Sequence, residues 1–547
     1  MTGQRTEVRR QRVEGRLAVM LACMFLVLFL SGCGGRERVT RAEAARAEGV
    51  LLRGNGQDPD SLDPHLATLV SAGNVLFNVF EGLVRFHAET LEPEPAMAES
   101  WAVSEDGLEW TFFLREAQWS NGDPVLASDF VFAWRRMLHP DLAASYAYML
   151  FPLENAREVN AGGLPPEALG VEGLDERTLR VRLHRPVPYF LSLLAHWTWF
   201  PLHEESLTAL GAVTDRTVLW TRPETMVVNG AFRLKTWRPE RELVLERNPS
   251  YWDAASVRLN GAVFLPLSDP ITEERAFRSG GLHVTYTLPR QRLDHYRGGD
   301  NTVLRMDPNL ESVGWVVNVR RPDLDRVDLR RALSLSLDRR AIAERVLGGT
   351  REPAFSHVPT GTGGHRSDVQ LREDPAEAKN LLKSLGFSGE RPLRELEMIL
   401  PNRADWVRVA EVMREQWAAA GIPVVINSME RSTYFARRRE GAFDLCFLGW
   451  VGDYPDPTTF LSLWLSDAGN NLSGWASAEY DALMEASARN PGRRGQLLRE
   501  AEAIVLEELP VIPLVFGASL YLLDPAVQGW HPNLLNHHPL RAVWFSE

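Results

Sequence analysis

Cysteine and lysine are the scarce residues of this 547-residue chain. Three cysteines occur; Cys23 and Cys33 both lie within the first 34 residues, which leaves Cys446 alone in the body. A lone thiol cannot form an internal disulfide, and a chain of this length has core enough to fold without one. Between Leu445 and Phe447, Cys446 reads as a buried, inert strand residue. Lysine occurs only as Lys235, Lys379 and Lys383, none in the glycine-rich spacing of a phosphate-binding loop. A Gly-x-Ser-x-Gly elbow and a His-Glu-x-x-His helix are also missing. The thirteen histidines are scattered apart from His537-His538, and adjacent side chains diverge on any regular element. No catalytic residue, metal ligand or cofactor is assigned. Beyond the leader no uninterrupted run of 18 apolar residues exists, so no further membrane span is expected.

Charge of positive sign is also short. The chain carries −12, and its first 32 residues hold five arginines against Glu7 and Glu14, which leaves −15 for the remainder. Such a body is a poor nucleic-acid binder and is repelled by anionic lipid. Hydrophobic residues at 45% exclude a disordered chain, and the length predicts two or three domains.

What is present begins with Arg5, Arg9, Arg10, Arg12 and Arg16, followed by fourteen uncharged residues from Leu17 to Leu30. That run is shorter than the roughly 20 residues a spanning helix needs, so residues 1–32 read as an export signal. The ending Leu30-Ser31-Gly32-Cys33 resembles the lipobox of bacterial lipoproteins. The resemblance implies that Cys33 is lipidated and becomes the new N-terminus, held at a membrane surface. Residues 36–49 are charged and alanine-rich without a core pattern, and 33–49 are expected to be a tether.

From Val50 the texture changes. Trp110–Leu114 and Thr178–Leu183 alternate with period two, predicting half-buried strands. Ser128–Leu138 opens on Ser-Asp and continues as an amphipathic helix. Asp328–Leu337, Arg339–Val346, Pro375–Leu385 and Ala404–Ala420 are predicted helical. The strands and helices alternate without one repeated rhythm, which predicts a mixed α/β chain and not a barrel.

Several blocks then carry a resemblance. They are Ser61-Leu62-Asp63-Pro64-His65, Phe80-Glu81-Gly82-Leu83, Trp119-Ser120-Asn121-Gly122-Asp123, Asn229-Gly230-Ala231-Phe232, Leu245-Glu246-Arg247-Asn248-Pro249-Ser250-Tyr251-Trp252, and Gly449-Trp450-Val451-Gly452-Asp453-Tyr454. In this order and spacing, over about residues 50–547, the chain resembles the oligopeptide-binding proteins of bacterial ABC importers, the family 5 extracellular solute-binding proteins. The resemblance implies an α/β fold of the periplasmic-binding-protein type, with two hinge-linked lobes closing on ligand and an extra third domain. Lobe I would comprise 50–81, 202–309 and 518–547, the extra domain 82–201, and lobe III 310–517. The implied partners are an oligopeptide ligand, the transmembrane subunits of an ABC permease, and a membrane through the lipid on Cys33. The chain is expected to be monomeric and to bind no nucleic acid.

The same resemblance assigns site residues. Asp453, in the Gly449-Trp450-x-x-Asp motif, would grip the ligand's amino terminus; a buried ammonium is costly unless an anion faces it. The competing reading makes it a loop aspartate capping the turn at Tyr454-Pro455-Asp456-Pro457. Trp450 would line side-chain pockets or pack in the core. Tyr146 would meet the ligand backbone, and Arg438 the ligand carboxylate unless it belongs to a solvated charge run. A strand around Thr68–Val70 would offer backbone groups, which pair with a peptide without reading its side chains. Three departures stand out: Thr68 where known binders have Glu, Phe447-Leu448 where a basic residue stands, and Trp406 in place of a carboxylate-region histidine. They imply a more apolar cleft. Non-peptide solutes (a nickel complex, haem, an opine or a sugar), a peptide sensor signalling to a membrane partner, and an exported hydrolase stay open as alternatives.

Overall fold

The computed structural model describes residues 39–298 and 302–546. The leader and Cys33 lie outside the described residues. The chain is a mixed α/β protein, as its patterning predicts. Within the segment 33–49 read as a tether, Arg41–Ala47 forms a helix. Thr40 and Glu43 close a reciprocal cap at its start, Thr40 Oγ1 accepting from Glu43 N and Glu43 Oε2 accepting from Thr40 N. Ala42 is buried, its N–H donates to Gly280 O at 2.8 Å, and its carbonyl meets His283 Nε2 at 2.9 Å. An alanine-rich stretch has no stripe to reveal such docking.

Three sheets organise the chain. In the first, Val50–Gly54 pairs in parallel with Gly261–Leu265, followed by Glu242–Arg247 and Phe232–Arg238 in antiparallel order. The second is antiparallel and lies within residues 98–182, in the order Ala98–Val103, Glu109–Leu114, Thr178–Arg182, Val171–Gly173. The third has six strands, in the order Glu352–Pro353, Val511–Leu522, Leu304–Val317, Leu445–Val451, Leu396–Pro401, Val424–Met429. The helix over Ala404–Ala420 falls where periodicity places it. The helix expected from Ser128 starts one residue earlier, at Ala127, and its cap differs from the expected one. Asp129, from within the first turn, accepts from Leu126 N at 2.8 Å and from Trp119 Nε1 at 3.0 Å. Arg339–Val346 begins as an α-helical turn and widens to a π-type turn over Ile342–Val346.

Two main cores result. One runs continuously through the first two sheets, from Leu51 and Phe112 to Trp199 and Phe264, and the other fills the third sheet's lobe from Leu310 to Val515. The strands Leu304–Val317 and Val511–Leu522 cross between them. Their antiparallel register breaks after Pro308↔Ala518 and resumes at Ser312↔Phe516. A Cβ on Gly517 would lie 2.5 Å from Glu311 Cβ, so glycine is required opposite this bulge. Released from the ladder, Leu310 donates its N–H to Leu534 O at 2.7 Å and accepts from Gly452 N at 2.8 Å.

A buried ion pair locks the first two sheets' segments together. Asp63 accepts from Arg136 Nη2 at 2.6 Å and Nη1 at 3.1 Å, and from Trp220 Nε1 at 3.1 Å. Burial pushes the Asp63 carboxyl up, but the adjacent Arg136 guanidinium outweighs it and holds the group below the usual range. The pair's stabilisation is therefore full at neutral pH and lost only as pH falls through that depressed value. Asp63→Ala, which strands the buried guanidinium, is expected to cost about 3–5 kcal/mol in urea unfolding, whereas Asp63→Leu combined with Arg136→Met should cost far less. A loss below 1 kcal/mol for the single variant would show the pair to be dispensable.

Candidate functional site

The strand Leu445–Val451 carries the motif. It pairs with Leu304–Val317 through Gly449↔Val313 and Trp450↔Ser312. Cys446 is buried in it, its thiol pushed up to about 11 by burial, in keeping with an inert role. After Val451 the chain leaves the sheet at Gly452. Its N–H is tied to Leu310 O, and a Cβ there would come within 2.7 Å of Leu310 Cδ2. Asp453 is thus seated beside the bulge that joins the two cores.

Asp453 makes no hydrogen bond or ion pair among the described residues. Burial alone pushes its carboxyl up to about 6. The turn-capping role belongs to Asp456 instead, which accepts from Thr458 N at 3.0 Å and Thr458 Oγ1 at 2.6 Å and pairs with Arg494 at 2.7 Å. Two aspartates three residues apart therefore do different work, and Asp453 is the free one.

Asp453 and Trp450 line a cavity of about 320 Å³ with Tyr148, Tyr189 and Leu193, which come from the segment 82–201. The Trp450 indole N–H is buried there without a partner. Tyr189 stacks on Tyr454 with ring centroids 4.9 Å apart and planes 3° from parallel, so the two bodies touch at this edge. Of Tyr146 and Tyr148, it is Tyr148 that lines the cavity. Tyr146 lies behind it, 5.7 Å between rings, and its hydroxyl is pushed up by burial and by the charges of Asp453 and Asp60.

Gly449 and Arg438 line a second cavity of about 650 Å³, with Glu311, Arg403, Tyr434 and Phe447. Residues 447 and 449 share one strand face and Trp450 takes the other, which separates the two cavities. The arginine run splits likewise: Arg437 pairs with Glu397 at 2.8 Å, whereas Arg438 has no carboxylate partner among the described residues.

Two expectations are corrected. Trp406 is 1% exposed, packed under the Phe447 ring at 5.0 Å and against the Arg351 guanidinium, so it lines neither cavity. No strand runs over Thr68–Val70. Thr68 is bound through N and Oγ1 to Asp60 at 2.8 and 2.6 Å, and Val70, 60% exposed, opens the helix Val70–Val79. The strand implied there by the family resemblance is absent, and Asp60 holds the Thr68 backbone and hydroxyl instead. Asp60, which accepts both bonds, is not singled out by the sequence, and no local pattern points to it.

Metal chemistry finds little support among the described residues. Asp123, His203 and Glu205 bring donors within 4.8 Å of one another. His203 Nδ1 accepts from Ser206 N, so Nε2 carries the proton and donates to Asp123 Oδ2 at 3.1 Å. The imidazole is a helix cap with no free lone pair. His537 packs against the Phe77 ring, His538 stacks on Trp530, and burial holds both neutral.

A two-cored α/β protein with a free, desolvated carboxylate in the cleft between the cores has the architecture of a binding protein, and the comparisons name its family. The model for bacterial extracellular solute-binding proteins, family 5, matches residues 92–472. The chain belongs to that family. It is 34% identical over 500 residues to the periplasmic oligopeptide-binding protein OppA of Salmonella typhimurium, covering 88% of this chain and 89% of that one. It is 33% identical over 510 residues to the probable deoxycholate-binding periplasmic protein YgiS of Escherichia coli, covering 91% and 93%. Among solved structures, the murein tripeptide-binding protein MppA in its unliganded open form matches with a TM-score of 0.82 at 28% identity, covering 91% of this chain and 97% of that one. Haemophilus influenzae OppA in complex with the peptide RPPGFSPFR matches at 0.72 with 33% identity, covering 91% and 99%. The lower identity accompanies the better superposition, so the present arrangement is like the open form.

The raised Asp453 carboxyl makes the empty protein progressively less stable as pH climbs from about 4 to 6, where the unfolded chain ionises and the folded one resists. Asp453→Asn is expected to remove that slope and to raise neutral-pH stability by about 1–3 kcal/mol. Unchanged unfolding profiles would mean the carboxylate is solvated after all.

Proposed function

We propose that the chain captures oligopeptides by closing its lobes around them and hands them to an ABC permease, held at a membrane by a lipid on Cys33. The observation that carries this reading is Asp453, a largely buried carboxylate without a partner in the cleft. A free α-ammonium is the counter-charge that offsets its desolvation. Arg438, likewise without a carboxylate partner, faces the second cavity and suits the other terminus. Trp450 and Tyr148 supply walls with one N–H and one O–H for backbone groups. Closure would bend the two crossing strands at the bulge between Pro308 and Ser312, with lobe boundaries near 309 and 517. The work is differential stabilisation of the closed state by ligand and needs no covalent step. An anionic ligand without an amine, such as a bile salt, would be repelled by Asp453.

Titration calorimetry with free and N-acetylated peptides tests the anchor. Free-amine peptides are expected to bind, acetylated ones poorly, and Asp453→Ala should weaken binding by several kcal/mol. Because ligand holds Asp453 ionised, affinity should decline as pH drops below about 6, and Asp453→Asn should abolish that decline. Equal binding of blocked and free peptides would place the anchor elsewhere. For the tether, Cys33→Ser is expected to shift the protein from the membrane to the soluble fraction; retention at the membrane would sink the lipid assignment.

A further inference from the structure

The cavity around Asp453 has a charge that the amine contact does not use. Besides Asp453, Trp450, Tyr148 and Tyr189, its lining includes Arg157 and Arg185, both exposed to the open cleft. Neither makes an ion pair among the described residues. Arg157 rests on the Phe151 ring at 4.6 Å, and Arg185 also borders an adjoining cavity that holds Asp467 without pairing to it. Neither arginine compensates Asp453. Once a ligand ammonium neutralises that carboxylate, two guanidiniums without a carboxylate partner and the buried, unpartnered Trp450 N–H remain.

We infer that this cavity is a specificity subsite for an acidic side chain on the first residue of the bound peptide, with Arg157 and Arg185 as its cationic wall. The inference rests on the peptide reading above and adds to it the class of ligand preferred. An aspartate or glutamate in the first position places its carboxylate within a few bonds of the α-ammonium, so one residue presents both signs to one cavity. Guanidinium–carboxylate hydrogen bonds are charge-assisted and strengthen as the closing lobes exclude water. A lysine in that position would bring a third positive group to the same wall and be disfavoured. A volume of about 320 Å³ accommodates a glutamate side chain with ordered water.

The test is titration calorimetry of the purified protein with tri- and pentapeptides that begin with Glu, Gln or Lys and continue with alanine. Peptides beginning with Glu are expected to bind about tenfold more tightly than those with Gln, and Lys more weakly than Gln. Arg157→Glu combined with Arg185→Glu should reverse the order in favour of Lys, which a merely structural role for either arginine would not produce. Equal affinity of the three peptides, or an order that survives the double substitution, would overturn the subsite and leave peptide capture standing. Failure of every peptide in both series to bind would overturn both. The unsubstituted protein's ranking decides the matter even where the double variant fails to fold.

Discussion

Two strands carry the sheet connection between the two main cores. Leu304–Val317 and Val511–Leu522 run antiparallel from one to the other, and the ladder is interrupted where they cross. A regular ladder of that length would resist bending. Pro308 brings no N–H and Gly517 brings no Cβ, so the pairing is released at the one place where the cores part. The freed backbone groups of Leu310 then bond outward, to Leu534 on one side and to Gly452 on the other. The strand end bearing Asp453 is consequently fastened to the crossing itself. A change in the angle between the lobes and a change at Asp453 cannot be independent.

The packing of the segment 82–201 follows from the same division. Its sheet has its own strands, yet its apolar side chains join those of the first sheet in one core, and the Asp63–Arg136 pair ties the two across the boundary. The first sheet and the segment 82–201 therefore share one core, separate from that of the six-stranded lobe. Tyr189 reaches from that segment to stack on Tyr454, one residue after Asp453, so one edge of the cavity is sealed.

How much of this was legible in the sequence depends on what each pattern records. The helix Ala404–Ala420 and the strands near 110 and 180 were legible because their periodicity reflects one local face. The family was legible because its blocks keep their order. Periodicity does not say what a face meets. Nothing local reveals that Val50–Gly54 pairs with a strand some 210 residues away, or that Trp406 faces the core under Phe447 and not the cleft. At Thr68-Leu69-Val70 the family resemblance misleads for a related reason: the side-chain bonds to this segment come from Asp60, eight residues earlier and outside the matched blocks. Motif position did not separate Asp453 from Asp456 either. Their partners did, since Thr458 and Arg494 occupy one carboxylate and leave the other bare.

A bare carboxylate at a moving junction has a thermodynamic consequence for the empty protein. In the present arrangement burial already pushes the Asp453 carboxyl up. Closing without ligand would remove more water from Asp453 and from the Trp450 N–H while giving neither a partner, which makes the empty closed state costly. A ligand that supplies a cation for one and an acceptor for the other reverses the sign of that contribution. Under the reading proposed here, selectivity for occupied over empty protein needs no separate latch: the groups left unsatisfied when the cleft is open are those whose satisfaction makes it close.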